Sequence, residues 1–95
     1  MNREKLRYAI LKEIHAGNTP LTEKDFEVTE DEFDDAIRFL SREKYLLGAF
    51  WADNRAHIFK TGPTLTEKGE QYLRENSGLN KAYNGLKEIR EWLRL

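Results

Sequence analysis

Between Leu21 and Leu40 the chain reads LTEKDFEVTEDEFDDAIRFL, and this stretch contains two helix starts in close succession. Thr22 is an N-cap residue with Asp25 three positions on, and Leu21 and Phe26 are placed to staple the first turn. Thr29 and Glu32 repeat the arrangement as a capping box, with Val28 before the cap and Phe33 at the fourth helical position. Phe33, Ala36, Ile37 and Leu40 then recur at helical spacing, which predicts a helix running to about Lys44. About three residues separate the two predicted helices, the spacing of a helix-turn-helix.

On the N-terminal side, Leu6, Ala9, Ile10 and Ile14 form one stripe of a helix over Asn2 to His15. Gly17 and Asn18-Thr19-Pro20 stop it. On the C-terminal side the period shortens. Leu47 to Ala52 and Ala56 to Lys60 are aromatic-rich segments around Asp53-Asn54-Arg55, a pattern that predicts a β-hairpin. Thr61-Gly62-Pro63-Thr64 reads as a loop, and Thr66 caps a fourth helix with Tyr72 and Leu73 inward. Ser77-Gly78 breaks that helix, and a fifth is expected from Asn80 to the last residue. Leu21-Thr22-Glu23-Lys24 recurs as Leu65-Thr66-Glu67-Lys68, but the flanks differ, so these are two similar helix starts without a duplicated unit.

The pattern predicts a mainly α fold with a small β-hairpin and an additional C-terminal helix, and this order of elements resembles a winged helix-turn-helix. Residues 1–78 form the expected domain. Residues 79–95 either pack on it or make a dimer contact, because Leu79, Ala82, Leu86, Ile89 and Leu93 follow the 3-4 spacing of an apolar seam.

The order of elements resembles the winged-helix regulators of bacteria, and Leu65-Thr66-Glu67-Lys68-Gly69 is similar to the leucine-threonine-x-x-glycine motif that opens the helix after their wing. Physically, Leu65 fills the core, Thr66 caps, and Gly69 permits close approach of a neighbouring element. The whole chain, opening Asn2-Arg3-Glu4-Lys5-Leu6, resembles the YjcQ family of small bacterial and phage-associated winged-helix proteins. That resemblance implies the fold and no particular activity.

With 95 residues there is room for one domain. Cys 0 removes disulfide and thiolate chemistry. The charged N-terminus has no apolar leader core, and uncharged runs such as Tyr45 to Ala52 are far too short to span a bilayer. A cytoplasmic protein away from membranes is expected. Neither His15 nor His57 has a cysteine or a second histidine at ligand spacing. No phosphate loop, calcium loop or tuned carboxylate pair is recognisable. Neither an enzyme nor a resident cofactor or metal is expected.

The net charge of -1 conceals a segregation. Asn18 to Asp35 carries eight acids against Lys24, a balance of −7, and the remainder of the chain carries +6. The outward face of the predicted recognition helix is Asp31, Asp34, Asp35, Arg38, Ser41, Arg42 and Tyr45. Acids in its first turn suit the helix dipole, whereas Asp34 and Asp35 lie beyond that turn.

Two functions follow. A DNA-binding transcriptional regulator would use Arg38, Ser41, Arg42 and Tyr45, with Arg55 at the wing tip reaching a groove of double-stranded DNA. Phe50, Trp51 and Phe59 are read as core and wing packing. A protein-interaction module, such as a phage-related accessory factor, would instead present Asp31, Asp34 and Asp35 to a basic partner, or Leu86, Ile89 and Leu93 to a second copy of itself.

Overall fold

The computed structural model describes residues 1–95. Asn2 caps α1 (Arg3–His15) by accepting the Lys5 N–H at 3.1 Å. Its buried side is wider than one stripe: Tyr8, Leu11 and Glu13 are buried along with Leu6, Ala9, Ile10 and Ile14. The helix is central, and other elements cover it from several directions.

Both predicted caps form. Thr22 and Asp25 make a capping box at the start of α2 (Glu23–Phe26), and Thr29 and Glu32 make another at the start of α3 (Glu30–Arg42). Phe26 and Phe33 are fully buried with ring centroids 6.1 Å apart, so the turn between the helices closes over an aromatic pair. α3 ends at Arg42, short of the expected Lys44. Lys44 takes a left-handed φ of 65°, while the Lys44 N–H bonds to Ser41 O and the Tyr45 N–H to Leu40 O. This Schellman geometry satisfies the last carbonyls and turns the chain out of the helix.

Two antiparallel ladders follow. β2 (Phe50–Ala52) and β3 (Arg55–His57) form the predicted hairpin, but its turn is Asp53-Asn54 alone, both at positive φ as a tight two-residue turn requires, and Arg55, expected in the turn, opens β3 opposite Ala52. At its base β1 (Leu46–Leu47) pairs with β4 (Thr64–Leu65), with Leu46 opposite Leu65 and Leu47 opposite Thr64. The expected loop at Thr61–Thr64 therefore ends in a strand. An isolated bridge joins Leu21 to Ile58, Leu21 N–H donating to Ile58 O at 3.1 Å.

Thr66 starts α4 (Glu67–Glu75) and links it to the end of α3. Its hydroxyl accepts the Gly69 N–H at 2.9 Å and donates to Lys44 O, while its N–H bonds to Tyr45 O at 3.1 Å. A Cβ on Gly69 would lie 2.2 Å from Tyr45 O. The close approach expected of this glycine is real, and the neighbour is the backbone just after α3.

The C-terminal segment differs from the predicted continuous helix. Ser77–Asn80 and Leu86–Glu88 are single 3₁₀ turns, and only Ile89–Arg94 is α-helical (α5). Gly85, at φ +82°, adopts a left-handed conformation that interrupts helical backbone. The apolar spacing from Leu79 to Leu93 thus lies on no single helix. Ile89, Trp92 and Leu93 are buried in the same core as α1, and Leu86 is half-buried. Trp92 donates its indole N–H to Leu79 O at 3.2 Å, and Lys5 Nζ donates to Trp92 O and Leu95 O at 3.0 Å each. Within the chain the segment packs onto the first helix.

Candidate nucleic-acid interface

The acidic stretch is largely engaged within the molecule. Arg55 on β3 places Nη2 2.8 Å from Glu23, Nη1 2.8 Å from Glu30 and Nε 2.8 Å from Asp34, so one guanidinium holds three carboxylates on two helices. Asp34 Oδ1 also accepts the Ala56 N–H at 3.3 Å. Asp25 accepts the Thr22 N–H and Glu32 the Thr29 N–H, each at 2.8 Å. Asp35 pairs with Arg38 at 2.7 Å. Only Glu27 and Asp31, of the eight acids, have no such partner.

This corrects two expectations. Asp34 is not on the outward face, because it lies under the hairpin and is only 6% exposed. Arg55 is not a free arginine at a wing tip: it points back and latches β3 to α2 and α3. Its hydrogen bonds, first to Asp34 and then to Glu23, hold its guanidinium protonated well beyond the ordinary arginine range. The same contact with Arg55 holds the Glu23 carboxyl below the usual glutamate value.

The remaining predicted contacts divide. Arg38 and Arg42 are exposed on α3. Arg38 sits 5.2 Å from the centre of the Trp51 ring, and Arg42 has a loose pair with Glu43 at 3.8 Å. Ser41 Oγ is buried without a hydrogen-bond partner and does not face outward. Tyr45, past the end of α3, stacks on Tyr72 with ring centroids 4.7 Å apart and packs against Phe39. It is half-buried and held by these two rings. The exposed face of α3 is therefore Asp31, Asp35, Arg38 and Arg42, acids in its first half and arginines in its second.

Two features were not foreseen. Arg3 and Arg7 on α1 join Arg38 and Arg42 around an open groove of about 460 Å³ beside α3. The signal was present, since Arg3 and Arg7 stand four apart like Arg38 and Arg42, but the stripe alone did not say that the two pairs would meet. The hairpin also leaves Phe50, Phe59 and Trp51 between 39% and 53% exposed, contrary to the expected packing role. Ala56 and Ile58 take the inward positions, while Phe50, His57 and Phe59 cluster on the outer face with centroids 5.6–6.4 Å apart.

The sequence model of the YjcQ family, described as YjcQ protein, matches residues 4–92. The uncharacterized protein YjcQ of Bacillus subtilis (strain 168) is 60% identical over 94 residues, 99% of this chain and 100% of the relative. The solution NMR structure of the YjcQ protein from Bacillus subtilis superposes with a TM-score of 0.71 at 57% identity, covering 84% of this chain and 97% of that one. No helix is long and apolar enough to cross a membrane.

Proposed function

The chain belongs to the YjcQ family, and from that premise we propose that it is a winged-helix module that binds double-stranded DNA, in the manner of a transcriptional regulator. In this reading α2 and α3 are the helix-turn-helix, β2 and β3 the wing, and the bridge from Leu21 to Ile58 the third strand that ties wing to helices. The observation that carries the proposal is the engagement of the acidic stretch. Six of its eight carboxylates are held by caps, by Arg55 or by Arg38, while Arg38 and Arg42 stay exposed. Arg55 and Arg38 offset part of the charge that would repel a duplex, the caps fix where Asp25 and Glu32 point, and Arg38 and Arg42 lie on the second half of the helix that would enter the major groove.

The test is a titration of a fluorescent generic duplex at about 50 mM and about 200 mM salt. Binding at low salt that falls steeply with salt, and that weakens in Arg38→Gln/Arg42→Gln, supports the proposal. No binding at low salt overturns it.

A protein-interaction module is the second reading, favoured by the exposed cluster of Phe50, His57 and Phe59 on the outer face of the hairpin. The surfaces first expected for such a role are poorer candidates. Asp34, Ile89 and Leu93 are buried, and Asp35 is paired.

A further inference from the structure

The groove between the first turns of α1 and the exposed side of α3 is unusual in how its charges are arranged. Arg3, Arg7, Arg38 and Arg42 line it together with Leu6, Ala36 and Phe39. Glu32 and Asp35 line it too, but Glu32 is committed to the Thr29 N–H and Asp35 to Arg38. Arg3 and Arg7 enter no ion pair, and the pair between Arg42 and Glu43 is stretched to 3.8 Å. The lining thus carries four guanidinium groups against two carboxylates, an excess of two positive charges.

One of them is already positioned. The Arg7 guanidinium lies 3.6 Å from the centre of the Phe39 ring, and Arg42 approaches the same ring at 5.8 Å. Stacking fixes the plane of a guanidinium while leaving its N–H groups free at the edge, so less entropy is lost when they grip an oxyanion. Guanidinium forks match tetrahedral oxyanions bidentately. The volume, about 460 Å³, falls in the range of small-molecule sites, which pair an apolar floor with a few directed polar groups.

We propose that this groove binds a small phosphate monoester, with Arg3, Arg7 and Arg42 on the phosphate and Leu6, Ala36 and Phe39 under the organic part. A phosphate monoester carries roughly −1.5 to −2 charges at pH 7, the countercharge the cluster lacks. The site needs no DNA. It stands or falls separately from the reading of α3 as a recognition helix.

The experiment is a titration of the whole chain with phenyl phosphate, followed by ¹⁵N NMR without DNA at constant ionic strength set with sodium chloride. Phenol and inorganic sulfate serve as controls. The expected result is saturable binding, roughly millimolar for so small a probe, with shifts centred on Arg3, Arg7, Phe39 and Arg42. In Arg3→Gln/Arg7→Gln the affinity falls at least about tenfold, the loss of roughly 1.4 kcal/mol or more. Arg3→Gln alone, in the exposed first turn, serves if the Arg7 change disturbs folding, and is expected to weaken binding in the same direction. Shifts that rise linearly without saturating, that phenol or sulfate reproduces, or that survive the double substitution overturn the proposal. So does a groove that responds to duplex DNA and ignores phenyl phosphate, since the arginines would then serve only the nucleic-acid backbone.

Discussion

Arg55 on β3 and Asp34 on α3 meet at 2.8 Å through Nε and Oδ2, and Asp34 turns its other oxygen to the Ala56 N–H. A buried carboxylate is thereby satisfied from the hairpin, and the hairpin is oriented by a helix 21 residues earlier. Asp34 and its neighbour Asp35 have the same chemistry and opposite circumstances, 8% against 73% side-chain exposure. Asp34→Ala leaves the Ala56 N–H and the Arg55 Nε–H without their acceptor and is expected to cost about 2 kcal/mol. Asp35→Ala removes only an exposed i,i+3 pair and is expected to cost no more than about 0.5 kcal/mol. Urea unfolding of both variants measures the contrast, and equal losses would contradict the assigned burial.

On DNA, the structure moves the useful substitution. Asp31 and Asp35 are the acids on the exposed face, so Asp31→Lys/Asp35→Lys is expected to tighten generic duplex binding roughly fivefold or more at low salt and to steepen its salt dependence. Fluorescence anisotropy at two salt concentrations reads both quantities. An unchanged affinity would mean that this face does not approach the duplex.

Gly69 makes a sharper stability prediction. Its Cβ position is occupied by the Tyr45 carbonyl, which is backbone and has little room to yield. Gly69→Ala is expected to destabilise by about 1–3 kcal/mol through overpacking, although alanine is the better helix former. A thermal melt that rises in this variant would refute the close approach.

The C-terminal segment separates folding from association. Ile89 is fully buried against the common core, so Ile89→Ala is expected to lower the unfolding free energy by about 2–4 kcal/mol. Light scattering on the folded fraction should give the same mass as the parent. A change of mass at unchanged stability would return the seam to an interface.

Alkaline pH should weaken the fold. Burial holds the Tyr8, Tyr72 and Tyr83 phenols above their ordinary value of about 10, and the bond from Tyr83 to Glu13 adds to its shift. Below about pH 10 folded and unfolded chains both keep these protons, and the contribution is complete. Above it the unfolded chain ionises first, so stability falls as pH rises. Tyr83→Phe is expected to show lower stability at pH 7, from the lost hydrogen bond, and a shallower alkaline decline. Chemical unfolding at pH 8, 10 and 11 resolves the two effects.

What could be read from the sequence was local. The Thr29 and Glu32 box, the Thr66 cap and the Asp53-Asn54 turn each need only residues within a few positions, and all three form as expected. The fate of Arg55 depends on partners 21 and 32 residues away, and no local pattern distinguishes an arginine that reaches solvent from one that folds back. The arginine groove was half-visible, as two i,i+4 pairs without a relative orientation. The error in the last helix had a readable cause. Asn84-Gly85 is a turn dipeptide inside the apolar spacing, and apolar periodicity alone does not register a break between its positions.

The segment from Ser77 onward combines weak backbone with deep side chains. None of its three helical turns has a side-chain cap, yet it inserts Ile89, Trp92 and Leu93 beside α1. Such a piece is expected to open as one unit and not by fraying, because the first of these side chains to leave exposes the others. Its amide protons should then exchange together, sooner than those of α3, and each opening would uncover the flank of α1 that carries Tyr8.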